Sequence, residues 1–328
     1  MGIEEYAEAK RKKIESALCN RIPGEPPYIY DMLREFISRG GKRLRPIIVL
    51  SISEATGGTD EGALPYALAI ELFHNFTLIH DDVEDSSSLR RGLPTLNSQY
   101  GIPTAVNAGD AMYHVMWETL LSGNIPDTTL LPALRIMMES FSLVVDGQGT
   151  ELYWHRAGRF DVTEEEYLNM ARGKTGALIG LACRLGAYSS NAPMDVQLGL
   201  RKFGEAVGVA FQIRDDILNL TSPHGEYSKE VGEDIRSGKR TLVMIKLLSM
   251  LEGAEKEKLL SVLRGKKSSP EDVAWAISLA REKGAVEYAS SVSLRLLSEA
   301  KAQLGVLGDP EKEKKVWELA EFAVLGKG

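Results

Sequence analysis

Two short acidic runs stand out because their spacing gathers charge on one side of a helix. Asp81-Asp82-Val83-Glu84-Asp85 closes an apolar segment, and Asp215-Asp216-Ile217-Leu218-Asn219 follows Phe211-Gln212. Helical positions i, i+1 and i+4 share a side, so Asp81, Asp82 and Asp85 present three carboxylates together. Asp215, Asp216 and Asn219 repeat the spacing with an amide in the last place. Like charges near the C-terminal end of a helix are unfavourable through mutual repulsion and through the helix dipole. A cation should offset them, and hard oxygen donors with open positions suit Mg²⁺, which usually shares its shell with substrate phosphates. One such run would read as a solvated helix end. Two of matching spacing, each set in an apolar helix, read as a binding arrangement.

Basic groups interleave with the acidic ones. Gly40-Gly41-Lys42-Arg43-Leu44-Arg45-Pro46 places three cations after a flexible turn, and Arg90-Arg91-Gly92 follows the first acidic run closely. Lys174-Thr175-Gly176, Lys229 and Gly238-Lys239-Arg240 complete the set. Arginine, by its planar fork, and lysine, as a compact charge, are the natural ligands of a diphosphate. His74 stands seven residues before Asp81, about two helical turns away on the same face, where a phosphate ligand fits. The other histidines (His80, His114, His155, His224) form no metal-binding spacing.

The elements that must hold these groups are helices. From Tyr66 to His80 apolar residues recur every three or four positions: Leu68, Leu72, Phe76 and Ile79, with Ala69 and Phe73 beside them. Thr163-Glu164-Glu165-Glu166 reads as a capping box; Ser269-Pro270-Glu271-Asp272 and Asp309-Pro310-Glu311 put a cap before a first-turn proline. The last of these opens a helix striped by Val316, Leu319, Ala320 and Ala323. Pro46 to Leu50 could pass for a buried strand, but no alternating partner run exists. Leu220 to Gly238, rich in Ser, Gly, Lys and Glu, is the best candidate for a mobile loop. No linker or fixed-period repeat marks a boundary, so the expectation is an all-α chain forming one domain over residues 1–328.

Composition narrows the class further. The chain has 328 residues, 44% of them hydrophobic, enough for a sizeable core. A formal net charge of −7 argues against a non-specific nucleic-acid partner. Cys19 and Cys183 are too few for a disulfide framework and sit in no zinc-binding spacing. A cytoplasmic protein is expected. No continuous apolar run approaches the length of a spanning helix, so no stable membrane insertion is expected.

Five segments together resemble the trans-isoprenyl diphosphate synthases: Gly40–Pro46, Leu78–Thr95, Lys174–Gly176, Phe211–Asn219 and Gly232–Lys239. The resemblance implies a helical bundle of the isoprenoid synthase type around a central cavity, a homodimer, and three Mg²⁺ per active site. It implies that Asp81, Asp82 and Asp85 bind Mg²⁺ on an allylic diphosphate. Asp215, Asp216 and Asn219 would serve a further Mg²⁺, with Asp234 acting through metal-bound water. Arg90, Lys174, Lys229 and Lys239 fall to the allylic diphosphate. Lys42, Arg45, His74 and Arg91 fall to isopentenyl diphosphate. Lys174, Thr175 and Gln212 are the catalytic set, Thr175 and Gln212 turning oxygens toward a developing allylic cation. Two departures are Asn219, where many members have Asp, and Asn97, where the family often shows His.

The same resemblance bears on the product. Phe76 lies five residues before Asp81, about 7.5 Å lower at the helical rise, with the small Thr77 next to it. An aromatic there without a second at Thr77 resembles archaeal-type geranylgeranyl diphosphate synthases, giving a C20 product. The alternatives are farnesyl (C15) or longer (C25 and above) products, or a non-catalytic subunit of a heteromeric synthase. Met112, Tyr113, Met116 and Trp117 could form a secondary floor. A terpene cyclase would need a second metal motif that the residues around Asn219 do not supply.

Overall fold

The structure, a computed structural model, describes residues 2–123, 125–221, 231–265 and 268–325. Among these residues there are sixteen α-helices and one two-stranded hairpin. The chain divides into two compact units: residues 1–139, 178–204 and 303–328, and residues 140–177 and 205–302. The divisions fall inside long helices, which is why no change of composition signals them in the sequence.

The first unit holds α1 (Ile3–Cys19), α2 (Pro27–Ser38), α3 (Leu44–Ala55), α4 (Asp60–Glu84), α5 (Leu96–Tyr100), α6 (Ile102–Leu121) and α16 (Pro310–Leu325). It also holds the start of α7 (Asp127–Arg156), most of α9 (Ala177–Ser189) and the start of α10 (Met194–Thr221). Its centre is α4, packed against α3 and α6. Thr59 caps α4 by accepting from Gly62 N–H. Residues Tyr66 through Phe73 are buried without a break. A stretch apolar nearly all round must be enclosed on every side, as residues 66–73 are, whereas Glu61, Gly62 and Glu84 toward the helix ends are exposed. Burial of each large side chain here, such as Phe73, stabilises by roughly 1.5–3 kcal/mol. The run Pro46–Leu50 lies inside α3, with every residue from Pro46 to Ser53 buried. Its continuous apolar character reflects enclosure, and a proline in the first turn costs a helix nothing.

The second unit holds the remainder of α7 and α10, with α8 (Glu164–Ala171), α11 (Glu233–Arg236), α12 (Leu242–Met250), α13 (Gly253–Arg264), α14 (Pro270–Glu282) and α15 (Ala285–Gln303). Its core gathers Trp154, Tyr167, Ile213, Ile217, Leu247 and Leu259. Both capping boxes form as the sequence indicates: Thr163 with Glu166 opens α8, and Ser269 with Asp272 opens α14. The expected mobile loop lies largely outside the described residues, and Lys229 and His224 lie there too.

By length and composition α7 is one helix apolar enough to cross a membrane, with a mean hydropathy of 1.3 over its best 18-residue window. No continuous apolar run announces it because Arg135, Glu139 and Asp146, with Ser140 and Ser142, interrupt the sequence. Only 39% of that window is buried.

Candidate active site

In the first unit a turn delivers the cations. Gly40 and Gly41 have φ of 80° and 135°, and Arg43 follows in the left-handed region at 47°. A Cβ at Gly41 would meet Arg91 Nη2 at 2.8 Å and push the guanidinium aside. Lys42 is exposed, Arg45 half-buried, and Arg43 turns inward to 3% exposure. Arg91 donates to Gly40 O, so the two basic segments meet. Arg45 Nη1 lies 3.1 Å from His74 Nε2. Burial drives the His74 imidazole well below its ordinary value, and the charges of Arg45, Arg91, Arg90 and Arg43 push the same way. His74 is therefore neutral and accepts from Arg45, which leaves its proton on Nδ1. Burial also brings Arg45 down to about 10 and lowers Arg91, where Arg43 adds to the effect. Arginines whose charge burial disfavours form a standing demand for an anion.

The hairpin completes this region. Strands β1 (Leu89–Arg90) and β2 (Leu93–Pro94) are joined by Arg91 and Gly92, both at positive φ, the geometry of a two-residue primed turn. The strand reading was not available from the sequence, since two-residue strands leave no alternation. Arg90 clamps Asp82: Nε donates to both carboxylate oxygens at 2.8 and 2.9 Å, and Nη2 lies 2.7 Å from Oδ1. Burial pushes the Asp82 carboxyl upward, while Asp82 holds Arg90 further toward its charged form. The short bidentate contact decides between these tendencies in favour of an ionised pair. Two residues expected to serve different ligands thus face each other. Asp81 is half-buried beside them and Asp85 is exposed.

Five residues before Asp81, Phe76 is half-buried, its ring 5.0 Å from Tyr113, 5.5 Å from Phe73 and 4.7 Å from His80. Tyr113 continues to Trp117 at 5.8 Å, whereas Met112 and Met116 are wholly buried. The ring contacts thus run from Phe76 through Tyr113 to Trp117. Thr77 turns its hydroxyl back to His74 O at 2.9 Å. A Cβ on Gly109 would fall 2.2 Å from the His80 ring, so a larger residue there would displace that ring.

In the second unit α8 passes into one π-helical stretch, Arg172–Gly176, which carries Lys174 and Thr175. Such bulges re-aim side chains within a helix and are frequent at functional sites. Glycines make room for it: a Cβ on Gly147 would lie 2.3 Å from Lys174 N, and one on Gly173 2.7 Å from Leu143 O. Lys174 Nζ pairs with Glu151. Thr175 Oγ1 donates to Gln212 Oε1 at 2.7 Å, and Gln212 Nε2 donates to Asp216 Oδ1 at 2.9 Å. Tyr167 OH donates to Asp216 Oδ2 at 2.7 Å. Burial, followed by the nearby Asp234 charge, pushes Asp216 up to about 8 against those donors. Asp215, Asp216, Asp234, Lys174, Gln212 and Lys239 line one small pocket, with Lys239 Nζ 3.8 Å from Asp234 Oδ1. Asn219 is fully buried, and its Oδ1 accepts from Asp234 N–H at 3.2 Å. Its amide is thus tied to the backbone that carries Asp234.

Among the described residues, no three carboxylate, imidazole or thiol groups are arranged to hold a metal ion alone. The donor chemistry still suits a hard divalent ion: four carboxylates (Glu151, Asp215, Asp216 and Asp234) share the second pocket, and burial and the Asp234 charge work against ionisation of Asp216. An ion there would take part of its shell from a ligand or water.

Several participants were invisible in the sequence. Tyr167 and Glu151 join the second site from positions that follow no motif, and Glu71 joins the first. Glu71 sits in an apolar helical stripe, and a charged residue there was the available signal.

The helical architecture and these two clusters are those of an isoprenyl synthase. The polyprenyl synthetase family model matches residues 26–280, and the chain belongs to that family. It is 36% identical over 318 residues to the geranylgeranyl diphosphate synthase of Sulfolobus acidocaldarius, covering 95% of this chain and 94% of that protein. It is 30% identical over 339 residues to the geranylfarnesyl diphosphate synthase of Natronomonas pharaonis, covering 98% and 97%. The crystal structure of geranylgeranyl pyrophosphate synthetase from Pyrococcus horikoshii Ot3 superposes with a TM-score of 0.89 at 32% identity, covering 98% of each chain.

Proposed function

We propose that this protein is a chain-elongating prenyltransferase that condenses isopentenyl diphosphate with the allylic diphosphates dimethylallyl, geranyl and farnesyl diphosphate, releasing geranylgeranyl diphosphate. The observation that carries the reading is Arg45, held 3.1 Å from His74, together with Arg91 on the adjoining basic segment: two arginines whose charge burial disfavours, which calls for an anion. Lys42, Arg45 and Arg91 would bind the diphosphate of isopentenyl diphosphate, with His74 orienting Arg45. Arg90, Lys174 and Lys239 would bind the allylic diphosphate, Lys229 being outside the described residues.

Mg²⁺ is proposed as the cofactor, three per active site: Asp81, Asp82 and Asp85 of the first unit and Asp215 and Asp216 of the second would hold it, and it would neutralise charge building on the departing diphosphate. As the allylic C1–O bond ionises, Lys174 and Arg90 stabilise the leaving anion. Thr175 and Gln212 turn oxygen dipoles toward the allylic cation. That cation alkylates the double bond of isopentenyl diphosphate, and the adduct loses a proton to the departing diphosphate. The product is again allylic and five carbons longer. Asn219, bonded to Asp234 N–H, supports the segment bearing Asp234 and is not proposed as a ligand.

Phe76, backed by Tyr113, is proposed as the floor that ends elongation at C20. The 25-carbon name of one relative makes C25 the second reading. A homodimer is proposed on α7, where Leu131, Met138, Val145 and Leu152 recur every seven residues and are all exposed. The reaction is tested by Asp216→Asn, which should fold and lose turnover by roughly a hundredfold or more. Full condensation activity in that variant would contradict the assignment.

A further inference from the structure

Arg43 lies between two expected diphosphate ligands, Lys42 and Arg45, yet faces away from any ligand. Its guanidinium is 3% exposed and meets Glu71, 2% exposed on α4: Nη1 donates to Glu71 Oε1 at 2.8 Å. Nη2 donates to Ile37 O, at the end of α2, and Nε lies 3.6 Å from Glu15. Glu71 Oε1 also accepts from Asn75 Nδ2 at 3.1 Å. Three residues further along α4, His74 holds Arg45. One turn of α4 therefore grips both arginines of the basic segment.

A buried ion pair is a poor way to gain stability, because desolvating two charges opposes their attraction and an apolar pair of equal volume does as well. What it does supply is fixed geometry, here through a planar fork engaged on two sides. The backbone of Arg43 is left-handed, at φ 47°. That reversal sends Arg43 inward while Lys42 stays exposed and Arg45 half-buried. Keeping a long L side chain in that conformation needs a reason, and the fork to Ile37 O and Glu71 provides one. The Glu71 charge also favours the charged forms of Arg45 and Arg91.

We propose that Glu71 is a positioning residue for the isopentenyl diphosphate site: through Arg43 it fixes the Gly40–Arg43 turn that presents Lys42 and Arg45. The inference rests on the reading of Lys42, Arg45 and Arg91 as ligands of that diphosphate. Without the carboxylate, Arg43 loses its partner and the turn loses its registration, so the first substrate to suffer is isopentenyl diphosphate.

The test is steady-state kinetics on the full-length protein, with isopentenyl and geranyl diphosphate varied separately and melting followed in parallel. Glu71→Gln should raise the KM for isopentenyl diphosphate roughly tenfold, the weight of one charge-assisted hydrogen bond. The KM for geranyl diphosphate and kcat should change by no more than about twofold to threefold, since interactions lost equally from ground and transition states leave kcat alone. The double variant Arg43→Met with Glu71→Leu restores an apolar, volume-matched pair; it should recover melting temperature but not isopentenyl KM. Arg43→Lys, which keeps the charge but not the fork, should move the same KM and serves if Glu71→Gln does not fold. A stably folded double variant with wild-type KM would show that the pair only stabilises, and equal rises in both KM values would also overturn the proposal. Lys42→Ala separates the two levels: if it leaves isopentenyl KM unchanged, the site reading fails, and not the role of Glu71.

Discussion

Both oxygens of Asp216 are held by neutral donors, the Tyr167 hydroxyl at 2.7 Å on Oδ2 and the Gln212 amide at 2.9 Å on Oδ1. Tyr167 is 1% exposed and has no route to a ligand except through that carboxylate. It orients Asp216 and favours its ionised form against burial and the Asp234 charge. Tyr167→Phe removes one oxygen from a packed site, so the fold should survive. The concentration of Mg²⁺ giving half-maximal activity should rise by roughly tenfold or more, as with other outer-shell partners of metal ligands. Titrating activity against Mg²⁺ checks this, and an unchanged midpoint would show that the hydroxyl is a packing feature only.

Phe76 is the second point of leverage. Its ring meets Tyr113 at a tilt and His80 edge-on, and it remains half-buried. Phe76→Ala removes a large part of that floor and should shift the main product upward by at least one five-carbon unit. A cost of up to about 3–5 kcal/mol in stability accompanies a Phe-to-Ala truncation in a packed site, less here because the ring is not fully buried. Chromatography of dephosphorylated products reads the shift. An unchanged distribution would move the floor elsewhere.

The exposed stripe on α7 gives an assembly prediction. Met138 and Val145 are 49% and 65% exposed, one heptad apart. Contiguous apolar surface of this kind marks an interface. Met138→Glu with Val145→Glu should convert a dimer into a monomer, as seen by light scattering after gel filtration. A wild-type protein already monomeric at micromolar concentration would remove the basis for a dimer.

How much of this was written in the sequence depends on the residue. Helices with clear caps could be read directly: Thr163 with Glu166 and Ser269 with Asp272 form the boxes their spacing announces. Thr175 and Gln212, widely separated along the chain, bond to each other where motif order suggested a shared site. The rest depends on tertiary placement. No local pattern says that Tyr167 reaches Asp216 or that Arg43 turns to Glu71, because those pairings are made between elements. The π-helical stretch at Lys174 depends on Gly147 and Gly173, whose roles appear only when two helices approach. Asn219 looked like a ligand by spacing, yet its oxygen is joined to the backbone of Asp234, a contact only the fold creates.

Acid stability offers a check away from the site. Glu54 on α3 accepts from Lys315, Tyr6 and Lys10, which hold its carboxyl down to about 2 although burial alone would raise it. A carboxylate whose value is depressed on folding contributes stability above its unfolded value, near 4.5, and loses that contribution as pH falls toward 2. At 43% side-chain exposure the contribution is modest, since solvent screens it. Glu54→Gln should therefore melt below the wild type at pH 7, and the gap should narrow steadily below pH about 4.5. A gap independent of pH would mean that the network acts through packing alone.

The most direct measurement is mass spectrometry of the products formed by the purified protein with Mg²⁺, isopentenyl diphosphate and, in separate reactions, dimethylallyl, geranyl and farnesyl diphosphate. The account predicts one dominant twenty-carbon allylic diphosphate from all three primers. Folded protein that forms no product with any primer would contradict it, as would a dominant product that stops at fifteen carbons or runs beyond twenty.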